Sequence, residues 1–299
     1  MAATGRSAST APRWSPWTPL ALRHAFTADS LRESLDGGQA FRWRWRAEDE
    51  GWQGIFATHA VQLRVGHDAA LEFRTATDSA AARAALLDYL GMAAELPAYL
   101  ARLPLASDAV LAGAVAACPG LILLRQPFAE TLLAFILSST KQIPQIRQLC
   151  DTLALRFGNE LAPGLHALPT WSRLAELRED ELRACALGFR ARYVAETARF
   201  LRERPGWFAR VELAPYPEAK AALCELPGVG EKVADCVLLF GARRLEAFPV
   251  DVWILRTLAE RYGLHGWNLA HLAQFGRVHF GPLAGLAQQY LFAAARRMR

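Results

Sequence analysis

The sequence predicts an α+β protein: an antiparallel β-sheet domain first, then a larger helical region. Two observations carry this. Between residues 39 and 75, apolar and polar residues alternate over short runs separated by turn or charged segments, the pattern of strands with one buried face. From about residue 105 onward, apolar residues recur three and four apart, with Pro and Gly between the runs. A chain of 299 residues, 53% hydrophobic, can build a large core and more than one domain.

Taken in order, residues 1–21 are rich in Ala, Ser, Thr, Pro and Trp and lack a compact apolar stretch. They are expected to form a flexible arm rather than a signal peptide. Residues 22–104 should form the β-rich domain. A short helix over 29–35 leads to Gly37 and Gly38. Strands follow over 39–45, 52–58, 60–65 and 70–75, and a helix over 79–90. Residues 105–299 should be helical, with segments at 128–138, 143–157, 190–204, 218–226, 251–262, 268–275 and 281–297. No uninterrupted apolar run reaches 18 residues, so no membrane span is expected.

The net charge of +5 permits an anionic partner without establishing one. Only three of the 34 basic side chains are lysines: Lys141, Lys220 and Lys232. Arginine stays protonated and cannot act as an amine nucleophile, so any amine chemistry is narrowed to these three. The five cysteines, Cys118, Cys150, Cys185, Cys224 and Cys236, are widely spaced and form no CxxC pair. They read as buried small hydrophobes, and no metal or cofactor is expected.

The most informative segment is LPGVGEKVADC, from Leu226 to Cys236. One helix ends before Pro227 and another begins after Gly230. Gly228 and Gly230 allow backbone angles and close approach that a Cβ would obstruct. With Val229, they would turn their amides and the positive end of the next helix outward. That is an anion site, suited to a DNA phosphate. An ordinary helix–turn–helix corner would look similar in isolation. In the following helix Val233, Cys236, Val237 and Phe240 form an apolar stripe, and Lys232 sits beside it in the first turn. A cation there opposes the helix dipole, whereas a neutral amine, the form that attacks, does not. Lys141, in a turn, suits a phosphate or groove contact better, and Lys220 is expected to be solvated.

Nineteen residues beyond Lys232, Asp251 precedes a helical run. An N-cap role is expected, worth about 1 kcal/mol. A carboxylate so aimed could also stabilise positive charge or move a proton.

These segments resemble the 8-oxoguanine DNA glycosylase family, within the helix–hairpin–helix glycosylase superfamily. The resemblance rests on LPGVGEKVADC, on FPVD ending at Asp251 and on GQAFRW beginning at Gly38. It also rests on GFRARYV beginning at Gly188 and on GPLAGLAQ beginning at Gly281, continuing to Phe292. It implies a TATA-binding-protein-like sheet domain followed by a helical pair of glycosylase domains, with a lesion flipped out of double-stranded DNA into a pocket. It also implies that Lys232 attacks the sugar and that Asp251 assists. Gly38 would offer its carbonyl to the N7–H of the oxidised base, Gln288 would read the Watson–Crick edge, and Phe292 and Cys236 would face the ring. Phe189 stands where the family has an intercalating tyrosine, and Arg190 where an arginine contacts the orphaned cytosine. Thr140 replaces a family asparagine, Gln145 a second cytosine-reading arginine, and Trp253 a histidine near the phosphates. The opposite-base preference stays open.

The expected partner is therefore duplex DNA containing oxidised guanine, with a monomer acting in the nucleoid of a bacterium or the nucleus of a eukaryote. Two alternatives are a relative acting on alkylated or mispaired purines and a DNA-binding module without catalysis. An enzyme for alkylated purines would not need Lys232, the missing iron–sulfur cysteines argue against an adenine-removing relative, and a binding module would not need Lys232 and Asp251 together.

Overall fold

The computed structural model describes residues 11–297. The N-terminal part is a five-stranded antiparallel sheet in the order β1-β5-β4-β3-β2. Its strands are β1 (Thr18–Pro19), β2 (Trp43–Arg46), β3 (Gly51–Phe56), β4 (His59–Val65) and β5 (Leu71–Thr75), with α1 (Ala28–Asp36) between β1 and β2. Alternation puts Trp52, Val61, Leu63, Leu71 and Phe73 into one core with Leu31 and Leu35 of α1. Helices α2 (Ser79–Tyr89) and α3 (Leu96–Leu100) follow, and Leu86 and Leu96 join that core. Ile122 and Leu124 return to it from much later in the chain.

The helical part contains α4 (Ala109–Ala117), α5 (Phe128–Leu137), α6 (Ile143–Phe157), a small hairpin of β6 (Glu160–Ala162) and β7 (Leu165–His166), α7 (Trp171–Leu174), α8 (Glu179–Arg183), α9 (Arg190–Arg202) and α10 (Trp207–Leu213). It continues with α11 (Tyr216–Cys224), α12 (Glu231–Gly241), α13 (Val252–Tyr262), α14 (Leu269–Phe280) and α15 (Ala284–Arg297). The centre of this part is α12, buried from Val233 to Gly241. Phe240 of α12 stacks on Phe135 of α5 at 5.7 Å.

Three expectations need correction. The flexible arm covers residues 1–21, of which 1–10 lie outside the described residues. From Ser15 onward the arm is docked: Ser15 donates to Thr75 and Leu20 to Leu71, both through the backbone. Arg64 lies over the Trp17 ring at 4.2 Å, and these cation–π contacts tie the arm to the sheet edge. Next, the strand expected from residue 39 begins only at Trp43. Gln39 is buried and spends its side chain on the Ile122 carbonyl and the Leu124 amide, so residues 37–42 form a pinned turn. Finally, the expected helix over 268–275 extends to Phe280, where Gly281 at φ 66° ends it.

Candidate active site: a glycine hairpin, Lys232 and a pocket at the domain junction

The hairpin links α11 to α12. Leu226 donates to Leu223 and Val229 to Leu226, closing two tight turns before the new helix. Only Gly228 is conformationally required: its φ is 77°, and a Cβ there would lie 2.3 Å from Cδ2 of Tyr193. Gly230 has an ordinary φ of −92° and open space around it. A Cβ at Gly230 would therefore obstruct an approaching molecule rather than the fold. The first amides of α12 have no intrahelical acceptor and point outward at the positive helix end.

Lys232 lies half-buried in that first turn, its Nζ 5.7 Å from the Phe135 ring centroid. Cys236 is one turn further on. Burial pushes its thiol up to about 11, against the opposing influence of Lys232. Asp251 caps α13, as expected: Oδ1 accepts from Trp253 at 3.0 Å and Ile254 at 2.9 Å. Burial raises its pKa, while these amides and the Lys232 charge hold it down. Lys232, Cys236 and Asp251 thus act on one another electrostatically.

Lys220 is not solvated. It pairs with Asp235 at 3.1 Å, and the two side chains are 14% and 2% exposed. Tyr216 donates to the other Asp235 oxygen at 2.6 Å, and Arg277 of α14 donates to Tyr216 at 3.3 Å. This network joins the helices on either side of the hairpin. Asp235, a carboxylate inside an apolar helix face, was the sequence signal for it. Lys220 is thereby committed to a carboxylate, which leaves Lys232 and Lys141 as candidate amines. Four of the five cysteines are buried, but Cys224 is exposed at the end of α11.

Of the expected pocket residues, Gly38, Gln288 and Phe292 lie where the end of α1, α6 and α15 meet, and Cys236 is on α12. Gly38 has φ 94°, and a Cβ there would lie 2.9 Å from Ile143 Cδ1 and 3.4 Å from Phe292 Cε1. Gln288 and Phe292 share one face of α15, four residues apart. Gln288 is 4% exposed, yet its Oε1 has no hydrogen-bond partner among the described residues. A buried amide oxygen in that state costs about 1–3 kcal/mol. Cys236 belongs to the core against which Phe292 packs.

Phe189 stands out, 48% exposed, edge-on to Tyr193 at 5.7 Å. Arg190 is buried beside it, over the Phe189 ring at 4.2 Å. Its guanidinium donates to the Ser139 carbonyl, to Thr140 Oγ1 at 2.8 Å and to the Leu187 carbonyl at 3.3 Å. The structure thus brings Phe189, Arg190 and Thr140 together. Gln145 is set apart: its Oε1 accepts from the Gln142 amide at 3.0 Å and caps α6. Thr140 has φ 55°, a left-handed conformation unusual for a β-branched residue. Sequence reasoning missed both: the Ser139 carbonyl reaches Arg190 only through the fold, whereas the Gln142 amide that donates to Gln145 lies three residues back, in a capping box at the start of α6. Among the described residues, no group of three or more His, Cys, Asp or Glu is placed to hold a metal ion, and no helix is long and apolar enough to cross a membrane.

Residues 25–132 match the family described as 8-oxoguanine DNA glycosylase, N-terminal domain. Residues 133–275 match the HhH-GPD superfamily of base excision DNA repair proteins. The N-glycosylase/DNA lyase OGG1 of Arabidopsis thaliana is 33% identical, over 93% of this chain and 80% of its own. The N-glycosylase/DNA lyase of Saccharomyces cerevisiae is 29% identical, over 82% of this chain and 71% of its own. Among solved structures, the Clostridium acetobutylicum 8-oxoguanine glycosylase/lyase, in complex with double-stranded DNA containing cytosine opposite 8-oxoguanine, superimposes with a TM-score of 0.82. That match has 29% identity and covers 90% of this chain and 92% of that one. Strands β2 to β5 and the hairpin helix with Lys232 and Asp251 thus fall within matched segments, and the chain belongs to the 8-oxoguanine DNA glycosylase family.

Proposed function

We propose that this protein excises 8-oxoguanine from duplex DNA and then cuts the strand at the resulting abasic site, as a bifunctional glycosylase and lyase of base excision repair. The observation that carries the reading is the juxtaposition of a half-buried Lys232 with a capped, ionisable Asp251 behind a glycine hairpin. The buried, unpartnered Oε1 of Gln288 supports it, since that atom is ready to accept from the N–H groups of a flipped purine.

The hairpin amides at Gly228 and Gly230 take a backbone phosphate and orient the strand without reading it, while the Val229 amide is spent on the Leu226 carbonyl and holds the turn. Phe189 fills the gap that the flipped nucleotide leaves. Thr140 faces the opposite base, held there by the buried Arg190, with Gln145 further out. In the pocket Phe292 and Cys236 cover the two faces of the base. The Gly38 carbonyl accepts the N7–H of 8-oxoguanine. Guanine brings a bare N7 against the same oxygen, a difference of about 1–3 kcal/mol.

Lys232 Nζ, as the free amine, attacks C1′ while the C1′–N9 bond breaks and the base leaves with the electron pair. The Asp251 carboxylate stabilises the positive charge that builds on the sugar. The amine then displaces the ring oxygen, giving a Schiff base with the opened sugar. Loss of a C2′ proton expels the 3′ phosphate by β-elimination, and water releases Lys232. The protein acts as a monomer on chromosomal DNA, in the bacterial nucleoid or the eukaryotic nucleus.

Borohydride trapping tests this. Wild type should form a covalent adduct with an 8-oxoguanine duplex, and Lys232→Gln should form none while still binding DNA. Adduct formation by Lys232→Gln would move the chemistry to another amine. Base release without trapping or strand cleavage by wild type would favour a monofunctional enzyme. Binding without base release would favour a non-catalytic module.

A further inference from the structure

Gly38 discriminates only if its carbonyl is held to within a few tenths of an ångström, because an N–H···O hydrogen bond is confined to about 2.7–3.2 Å. A glycine at φ 94° has no side chain with which to hold itself. The structure shows what does hold it. On the C-terminal flank Gln39 is fixed by the Ile122 carbonyl at 2.8 Å, the Leu124 amide at 2.9 Å and Gln126, which donates to its carbonyl at 2.6 Å. On the N-terminal flank Asp36, the last residue of α1, receives the guanidinium of Arg147 from α6. Arg147 also donates to the Asp36 backbone carbonyl at 3.4 Å. One turn before Arg147, Ile143 meets the turn at Gly38.

A second strut runs from α15. Arg296 lies over the Phe292 ring at 5.5 Å and pairs with Glu33 of α1 at 3.6 Å. Gln288, Phe292 and Arg296 are spaced by four and share one helix face, so the strut continues the line of pocket residues. Arg147 and Arg296 are near enough for each charge to act on the other. Two partly buried ion pairs, Asp36–Arg147 and Glu33–Arg296, therefore bracket the reading turn and tie α1 to α6 and α15. Apolar side chains of similar size would serve stability as well or better at such sites. Charge-assisted guanidinium contacts, such as those of Arg147 to the Asp36 carboxylate and backbone carbonyl, have a preferred direction and serve position.

We propose that Arg147, with Asp36, is a positioning residue for lesion discrimination, and that Arg296 with Glu33 supports the same turn through Phe292. The proposal rests on Gly38 being the lesion reader, as in the function argued above. It predicts a split between the two activities. Excision of 8-oxoguanine needs the reading turn. Cleavage at a preformed abasic site needs Lys232 but no base in the pocket.

The experiment compares single-turnover rates on an 8-oxoguanine duplex and on an abasic duplex for wild type, Arg147→Met, Arg147→Lys and Asp36→Asn, with the melting temperature of each. Arg147→Met should lose about 10- to 100-fold in excision, the scale of a 1 Å misplacement. Its abasic cleavage should stay within about twofold, so that excision falls relative to cleavage. Arg147→Lys, which keeps the charge and loses the fork, should be intermediate. If Arg147→Met does not fold, the same split in Arg147→Lys and Asp36→Asn carries the inference. Parallel loss of both activities, or no loss of excision in any folded variant, overturns it. Failure of wild type to excise 8-oxoguanine would instead overturn the functional reading, so the two failures are distinguishable.

Discussion

Replacing Lys220 by Met removes one charge from a buried pair and leaves its partner in place. Asp235 would keep Tyr216 as a donor at 2.6 Å, but its side chain is only 2% exposed and water cannot replace the ammonium. If Asp235 stays ionised, the loss should be about 3–5 kcal/mol. If it takes up a proton, the cost at pH 7 is capped at about 4 kcal/mol, the work of protonating a group with an ordinary carboxylate pKa. The smaller governs, so about 3–4 kcal/mol is expected at pH 7. At pH 5 the same ceiling falls to about 1.5 kcal/mol. The sign follows from the native protein. Burial raises the Asp235 pKa, with Lys220 as the largest opposing influence. A raised acid contributes stability that is complete below its unfolded value and is lost as pH rises through the folded one. Without Lys220 the folded value rises further, and the loss deepens toward neutrality. Urea unfolding followed by tryptophan fluorescence, at pH 5 and pH 7, measures this directly. A destabilisation below about 1 kcal/mol at pH 7, or one equal at both pH values, would refute the reasoning. Lys220→Met combined with Asp235→Leu should recover most of the loss, because no buried charge is left unpaired.

Further outcomes are expected at four other sites. Gly228→Ala, at φ 77° and 2.3 Å from the Tyr193 ring, should cost about 1–3 kcal/mol or more in stability, whereas Gly230→Ala should leave stability nearly unchanged and weaken duplex binding, read as melting temperature and anisotropy titration. Asp251→Asn should retain the α13 cap and slow base release, whereas Asp251→Ala should also lose about 1 kcal/mol of stability. Because burial raises the Asp251 pKa, excision should begin to fall with acidification above the ordinary carboxylate range, and Asp251→Asn should lack that limb. Thr140→Asn should gain about 1 kcal/mol, since asparagine accepts a φ of 55° more readily and still offers Arg190 an oxygen; chemical denaturation checks it. Glu130, which accepts from the Ala57 amide and is pushed by burial up to about 7, loses stability as pH rises through that value; Glu130→Gln should therefore gain about 1–3 kcal/mol at pH 8 and little at pH 5.

The candidate site around Lys232 was legible, because its signals are local. A hairpin between helices, a first-turn lysine and a residue that precedes a helix are all written within a few positions of one another, and Asp251 caps α13 as its place before that helix implies. Hydrophobic alternation likewise located strands over 52–75, where one sheet face is buried. The segment around Gly38 was less legible. Its strand-like pattern was overridden by Gln39, whose partners Ile122 and Leu124 lie more than 80 positions away.

The sequence by itself determined the α+β order, the hairpin and the shortage of amines that points to Lys232. Helix periodicity, glycine freedom and the chemistry of lysine against arginine are properties of residues and short spacings. Only the tertiary structure decided that Lys220 is spent on Asp235, that Arg190 is committed to the Ser139 carbonyl, and that Arg147 and Arg296 bracket Gly38. Each of these is a charge or amide meeting an acceptor brought in from another element. Whether such a group is free for DNA depends on burial and long-range approach, which no local pattern encodes.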